Sequence, residues 1–361
     1  GWFDAGQFSI PVVDADGNVH VFWQGYEVID PFDCTFELAI RHTYSTDGGV
    51  TFSEPGVAFN NNMSYDDVDG GVDVYGMPNA DCDISDGPYD NTIYISQCQF
   101  AEGTYGETDV TVRKSTDYGT TWTERVVVND DPPGQNVDQF HPWLVVNEDG
   151  VVLLIFYDQR NGESLRMFDS YFAASFDGGE TYTTNMRISD VSSDPRDAAM
   201  AKSDIPSDVR EPDGTLRITN QPDRKPRAGL LAEYIGIHAN HDTINTIWTD
   251  TREGNQDCYA ARFMMPFLKP RLYLPENADP EFSEYPVFQW STCWHEDQDL
   301  YRLEISADPS FLTVDYIFDG LTDNSFVPPS PLIEQVYFWR VKAFRAEGDS
   351  TEYSDMYYFG G

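Results

Sequence analysis

Ser45-Thr46-Asp47-Gly48-Gly49-Val50-Thr51-Phe52 is one of three copies of an eight-residue pattern, and its reading decides the fold. It returns as Ser115-Thr116-Asp117-Tyr118-Gly119-Thr120-Thr121-Trp122 and as Ser175-Phe176-Asp177-Gly178-Gly179-Glu180-Thr181-Tyr182. The shared form is Ser-x-Asp-x-Gly-x-Thr-aromatic. Asp47, Asp117 and Asp177 accept hydrogen bonds from the amides of their own turn, Gly49, Gly119 and Gly179 take a positive φ, and the aromatic closes the hairpin from below. Recurrence at intervals of 70 residues (45 to 115) and 60 residues (115 to 175) marks one supersecondary unit used repeatedly, as blades or coils are.

Working outward from the loops, four segments match as first strands: Phe8–Val13, Tyr75–Ala80, Phe140–Val145 and Tyr234–Ala239. Each runs through a polar turn into a second strand, at 19–23, 92–95, 152–157 and 243–248, and a third strand leads into the loop. The fourth unit ends at Cys258–Phe263 with no such loop after it. The stretch 196–228 is rich in Asp, Pro and Arg without a strand period and reads as a long inserted loop. After Phe267, period-2 alternation at 270–275, 287–290, 301–306 and 337–343 marks a second, smaller β unit whose Trp290 and Trp339 read as core.

The eight-residue loops resemble the Asp-box, or bacterial neuraminidase repeat, of sialidase-like β-propellers. Val128–Gly134 through Tyr157–Asn161, and Tyr234–Ile237 through Trp248–Arg252, also resemble secreted members of that group, so the likeness covers about residues 7–265. It implies an all-β chain with a propeller over 1–267 and structural Asp-boxes, but not an activity, because the family mixes hydrolases with proteins that bind. Sialidases have six blades against the four units counted here. Blades preceding Gly1, strands hidden in segments such as 190–229, or a small propeller would each account for the difference. The segment 268–361 resembles a fibronectin type III module, a β-sandwich serving as spacer or docking unit.

The chain has 361 residues with 62 acidic and 22 basic side chains, a formal charge of −40. Such a field repels nucleic acid and anionic membranes, which excludes both as expected partners. An aromatic content of 14% with 27 Gly and 22 Pro suits many short strands and tight turns. No apolar run approaches the ~18 residues of a membrane helix. The five cysteines, Cys34, Cys82, Cys98, Cys258 and Cys293, include no CxxC pair, which argues against zinc. Cys82 and Cys98 flank one strand and are the expected disulfide of an exported chain. Resemblance to exported proteins implies a secreted or cell-surface location and a signal already removed.

In a propeller the starts of first strands and the ends of second strands share one face, opposite the Asp-boxes. Gln7, Ser9, Asp73, Tyr75, Asp138, Gln139, His141, Glu233 and Tyr234 would meet there, with Gln24, Glu27, Asp158, Arg160, Asp250 and Arg252 further out. Asp138, Asp158, Glu233 and Asp250 are the candidate catalytic carboxyls and Tyr234 the candidate nucleophile of a glycosidase. Gln7, Tyr75, Gln139, His141, Arg160 and Arg252 are candidate ligand contacts. The plainer alternative is that Asp158 pairs with Arg160 and Asp250 with Arg252 to pin loops. Sialidases hold the substrate carboxylate through three arginines, the first in a Phe/Tyr-Arg-Ile-Pro motif. Phe8-Ser9-Ile10-Pro11 puts Ser9 at that position, which argues against sialate as ligand. Asp66, Asp67, Asp69 and Asp73 surround a Gly-rich turn and would suit a hard cation such as Ca²⁺, though no cofactor is required.

The function expected is therefore non-catalytic recognition of a glycan or extracellular protein, or surface assembly. A sialidase-like glycoside hydrolase and a purely structural, self-assembling role are the alternatives.

Overall fold

A computed structural model describes residues 5–30, 35–63, 65–68, 70–101, 107–132, 137–161, 167–195, 207–210, 216–219, 231–293, 300–345 and 348–360. Every regular element in these is a strand. The first sheet is β1 (Ala5–Val13), β2 (Val19–Asp30), β3 (Thr35–Ser45) and β4 (Gly56–Asn60), joined in sequence order. A hairpin of β5 (Tyr65–Val68) and β6 (Val72–Tyr75) follows. The second sheet is β7 (Asn79–Cys82), β8 (Ile93–Phe100), β9 (Thr108–Ser115) and β10 (Val126–Val127). The third is β11 (Gln139–Val146), β12 (Val152–Asp158), β13 (Asp169–Ser175) and β14 (Met186–Arg187). A second hairpin, β15 (Ser207–Arg210) with β16 (Leu216–Thr219), precedes a fourth sheet of β17 (Gly236–Asn240), β18 (Thr243–Asp250) and β19 (Asp257–Met264).

All four sheets run antiparallel in one up-and-down order, and their first strands pack in series, β1 on β7, β7 on β11 and β11 on β17. The third sheet lies inside this stack. Its Val152-Leu153-Leu154-Ile155-Phe156-Tyr157 run is apolar without alternation because both faces are covered. Three apolar clusters fill the spaces between sheets, over Val12–Met265, and a separate one spans Leu272–Phe359.

That last cluster belongs to β20 (Leu272–Leu274), β21 (Phe288–Trp290), β22 (Leu300–Ser306), β23 (Tyr316–Leu321), β24 (Ser325–Phe326), β25 (Tyr337–Phe344) and β26 (Tyr357–Phe359). They form two sheets, β20-β21-β24 and β23-β22-β25-β26, closed on Trp290 and Trp339, both wholly buried.

Two sequence expectations are corrected. Tyr75 closes the β5–β6 hairpin, so the second sheet begins at Asn79 rather than at Tyr75; and the 196–228 segment contains the β15–β16 hairpin. The cysteine pairing is also corrected, because Cys82 and Cys98 are thiols. Cys82 stands opposite Ile93, five residues from Cys98, or ~17 Å along a strand, well beyond disulfide reach. Cys98 instead donates to the Gln139 carbonyl at 3.4 Å. Cys34 lies outside the described residues.

The three Ser-Asp-Gly-Thr loops share one internal bond set. In the first, Ser45 Oγ donates to Asp47 Oδ1 (2.7 Å) and accepts from Gly49 N (2.9 Å), while Thr51 donates its N–H and hydroxyl to Asp47 at 2.9 and 2.6 Å. The Ser115 and Ser175 loops repeat these bonds. Gly49, Gly119 and Gly179 have φ of 86°, 82° and 79°.

Surroundings then separate the copies. Thr51 and Ser45 hold the exposed Asp47 at about 2, whereas burial pushes Asp177 up. The C-terminal unit docks beside this loop, where Asn324 Nδ2 donates to Asp177 Oδ2 at 3.4 Å. Tyr273 Oη accepts from Tyr182 N at 2.9 Å and donates to Tyr182 O at 3.2 Å, and Arg271 donates to the carbonyls of Val128 and Asn129. Asp177→Ala should therefore cost about 2–4 kcal/mol, from several buried donors left unpaired, and Asp47→Ala far less. Urea midpoints compared side by side check this; equal losses would disprove it.

Candidate functional site

The end at which first strands start and second strands finish is shaped by two matching irregularities. Gln7 faces Gln24 and Ile10 faces Phe22, so Phe8 and Ser9 together oppose Trp23. Phe140 faces Tyr157 and Trp143 faces Ile155, so His141 and Pro142 together oppose Phe156. Each is a β-bulge, and its first residue takes a positive φ, 59° at Phe8 and 47° at His141. Bulky side chains hold such a backbone only when their surroundings over-determine it. By bulge position Phe8 corresponds to His141, one residue off the match of Phe8 with Phe140 that the sequence suggests.

The Phe8 bulge brings its ring to 5.5 Å from Tyr75. Tyr75 is half-buried, and its hydroxyl is pushed up by burial and by the charges of Asp73 and Glu233. Glu233 is raised by burial and then by Asp73. Asp73, Tyr75 and Glu233 are thus electrostatic neighbours at a partly open site, beside Tyr26 and Phe8. Gln7 is exposed on the same strand, whereas Tyr234 is 83% exposed and enclosed by nothing.

The other candidate carboxyls are tied. Asp158 is wholly buried and takes Arg160 N at 2.7 Å, Nε at 2.9 Å and Nη2 at 2.7 Å. Arg160 also bonds Asp130 and Asn185 and lies over the Tyr171 ring. Asp250 repeats the arrangement one sheet on, with Arg252 N at 2.9 Å, Nη2 at 2.6 Å, and Asp190 and Tyr259 as further partners. Asp138 caps β9, accepting Thr108 N at 3.0 Å and its hydroxyl at 3.1 Å. Neither arginine is left to bind an anionic ligand.

Gln139 and His141 are buried, and no hydrogen bond reaches the Gln139 side-chain amide. Burial lowers His141 to about 4, against a weaker pull from the Ala232 backbone, so its imidazole is neutral.

Asp67 and Asp73 are Cα partners across the β5–β6 hairpin. The side chains of Asp66 and Asp67, and all of Asp69, lie outside the described residues. Among those described, no three His, Cys, Asp or Glu side chains gather as a metal site.

One set of supports, Gln24 apart, escaped the sequence reading. Gln24 and Asn61 donate to the Met63 carbonyl, Gln97 and Asn61 to that of Gly76, and Gln99 to Asn61. A Cβ on Gly76 would stand 2.2 Å from the Met63 oxygen, so only glycine lets these segments meet beneath Tyr75. Gln97 and Gln99 inside an otherwise apolar strand were the visible signal.

No protein-family model matches the chain, and no curated protein does. Among solved structures it is similar to the α-L-arabinofuranosidase of Fusarium graminearum in complex with arabinobiose, at 13% identity over 97% of this chain and 80% of that one, TM-score 0.37. It is also similar to the NanB sialidase of Streptococcus pneumoniae, at 9% identity over 96% and 66%, TM-score 0.38. A third is the intramolecular trans-sialidase of Ruminococcus gnavus, at 10% over 98% and 94%, TM-score 0.37. Likeness of this size assigns neither an activity nor a substrate. No helix among the described residues is long and apolar enough to cross a membrane.

Proposed function

We propose that the chain is a secreted sialidase-like propeller with a fibronectin type III-like module, and that it binds an uncharged glycan at Asp73, Tyr75 and Glu233. One observation carries this. Asp73 and Glu233 both act on Tyr75, a half-buried tyrosine whose ring lies 5.5 Å from Phe8, so two carboxyls and two aromatic rings gather at one partly open place. Carboxylates accept from sugar hydroxyls, and aromatic rings take the apolar faces of sugars. The −40 field favours neutral ligands over sialate or sulfated chains unless salt or Ca²⁺ at the β5–β6 hairpin screens it.

A second reading has its own support. Glu233, its carboxyl raised by burial and by Asp73, has the character of a general acid, one of the two carboxyl roles that glycoside hydrolysis uses. A panel of neutral aryl glycosides, sialosides and polysaccharides separates the two, with Glu233→Gln and Tyr75→Phe as controls. Binding without turnover, weakened about tenfold or more in either variant, is the expected result. Turnover that Glu233→Gln abolishes would replace recognition by hydrolysis, and a ligand indifferent to both substitutions would remove the site.

A further inference from the structure

The four stacked sheets leave two outer faces, and they differ. The outer face of β17–β19 sets exposed His238, Asn240, Asn245 and Arg262 among exposed Ile247 and Met264. The outer face of β1–β4 is more uniformly apolar. Its rows read Val13 opposite Val19, Pro11 opposite Val21 opposite Thr43, and Trp23 opposite Arg41 opposite Val57.

Val13 is 54% and Val57 50% exposed, Pro11 is exposed, and Val19, Val21 and Trp23 are half-buried. A Cβ on Gly6 would meet Trp23 at 2.8 Å, and one on Gly25 would meet Arg41 at 2.6 Å. The two glycines let those long side chains lie against the sheet and keep the face flat. β12 and β13, by contrast, are buried on both sides.

The charge pattern names the occupant. The chain has 62 acidic residues, yet these rows hold none. The first acids on this face, Glu27 opposite Glu37, stand one row beyond Gly25 and Ala39, at the rim. A basic partner would find no carboxylate in these rows, and their one cation, Arg41, already has a partner within the chain. Two copies of a −40 chain repel each other wherever carboxylates meet, and this face spares them that.

We propose that the outer face of β1–β4 packs on the same face of a second copy, forming a two-fold dimer through sheet-on-sheet contact. An isologous contact needs only one self-complementary patch, and flat apolar sheet faces pack as in a β-sandwich. Because both copies are acidic, salt strengthens the dimer by screening.

Sedimentation velocity across a concentration series, at low and high salt, tests this on the purified chain. A dimer that tightens with salt is expected, and Val21→Glu should weaken it about a hundredfold or more by burying a charge against its own copy. Val57→Glu, at a position 50% exposed where a charge stays in water in the monomer, is the second variant. Circular dichroism establishes that both fold. Hydrogen exchange that slows in β1–β4 with rising concentration would locate the contact. A monomer at every concentration, whether the face stays bare or is covered by other parts of a longer polypeptide, would overturn the proposal. So would a dimer indifferent to both substitutions.

Discussion

Arg160→Ala is expected to destabilise the protein by about 3–5 kcal/mol at neutral pH, because it strands a carboxylate with no access to water. Asp158 is wholly buried, and Arg160 gives it two hydrogen bonds, from N and Nε, and an ion-pair contact from Nη2. The backbone bond survives the substitution, but both guanidinium contacts are lost. Burial already pushes the Asp158 carboxyl up while Arg160 pulls it down. Without the guanidinium, burial acts with less opposition and the folded-state pKa climbs further above the unfolded one. A carboxyl so raised favours the folded state below its unfolded pKa, and that contribution is lost as pH rises through the folded pKa. The deficit against the parent protein is therefore largest near pH 7 and narrows toward about pH 4. Urea denaturation of both proteins at neutral and acid pH measures it. A deficit that stays the same at both would show that the loss is one of packing over Tyr171, not of charge.

The second large effect is acid lability from neutral buried imidazoles. His141 and His42 are both lowered to about 4, chiefly by burial, with the His20 ring adding to the effect at His42. Below the ordinary histidine value of ~6.5 the unfolded chain takes up a proton that the folded chain refuses. Each group then removes up to about 1.4 kcal/mol per pH unit as pH falls from ~6.5 toward 4. Asp81, Asp109, Asp158 and Asp177, raised by burial, act in the opposite sense and offset part of that loss. The histidine share of the slope is the part that His141→Phe reduces. Melting temperature should fall across that interval, and His141→Phe should flatten the fall. A variant with the parent's slope would mean that the imidazole is already solvated.

The periodic parts of this chain were legible because their residues act locally. Asp47, Asp117 and Asp177 bond within their own loops, so a single sequence is enough to read the bonds that form. Asp158-x-Arg160 and Asp250-x-Arg252 are local in the same sense, and their pairing follows from a spacing of two. What failed was long-range or depended on register. The Phe8 and His141 bulges shift a pairing by one residue, which no alternation pattern records. Tyr75 gains its place beside Glu233 from a hairpin hidden in an acidic stretch. The Cys82–Cys98 pairing failed on distance along a ladder, although proximity in sequence had made it attractive.

The junction at Tyr182 has a mechanical consequence. Tyr273 grips both backbone groups of Tyr182, Arg271 holds two carbonyls of the Val128–Asn129 turn, and Thr184 bonds the Lys269 carbonyl. Tension applied at the C-terminus would reach these bonds together instead of one after another. The two units would then yield as a single clamp at high force, and the linker at Phe267 would stay slack until it gave way.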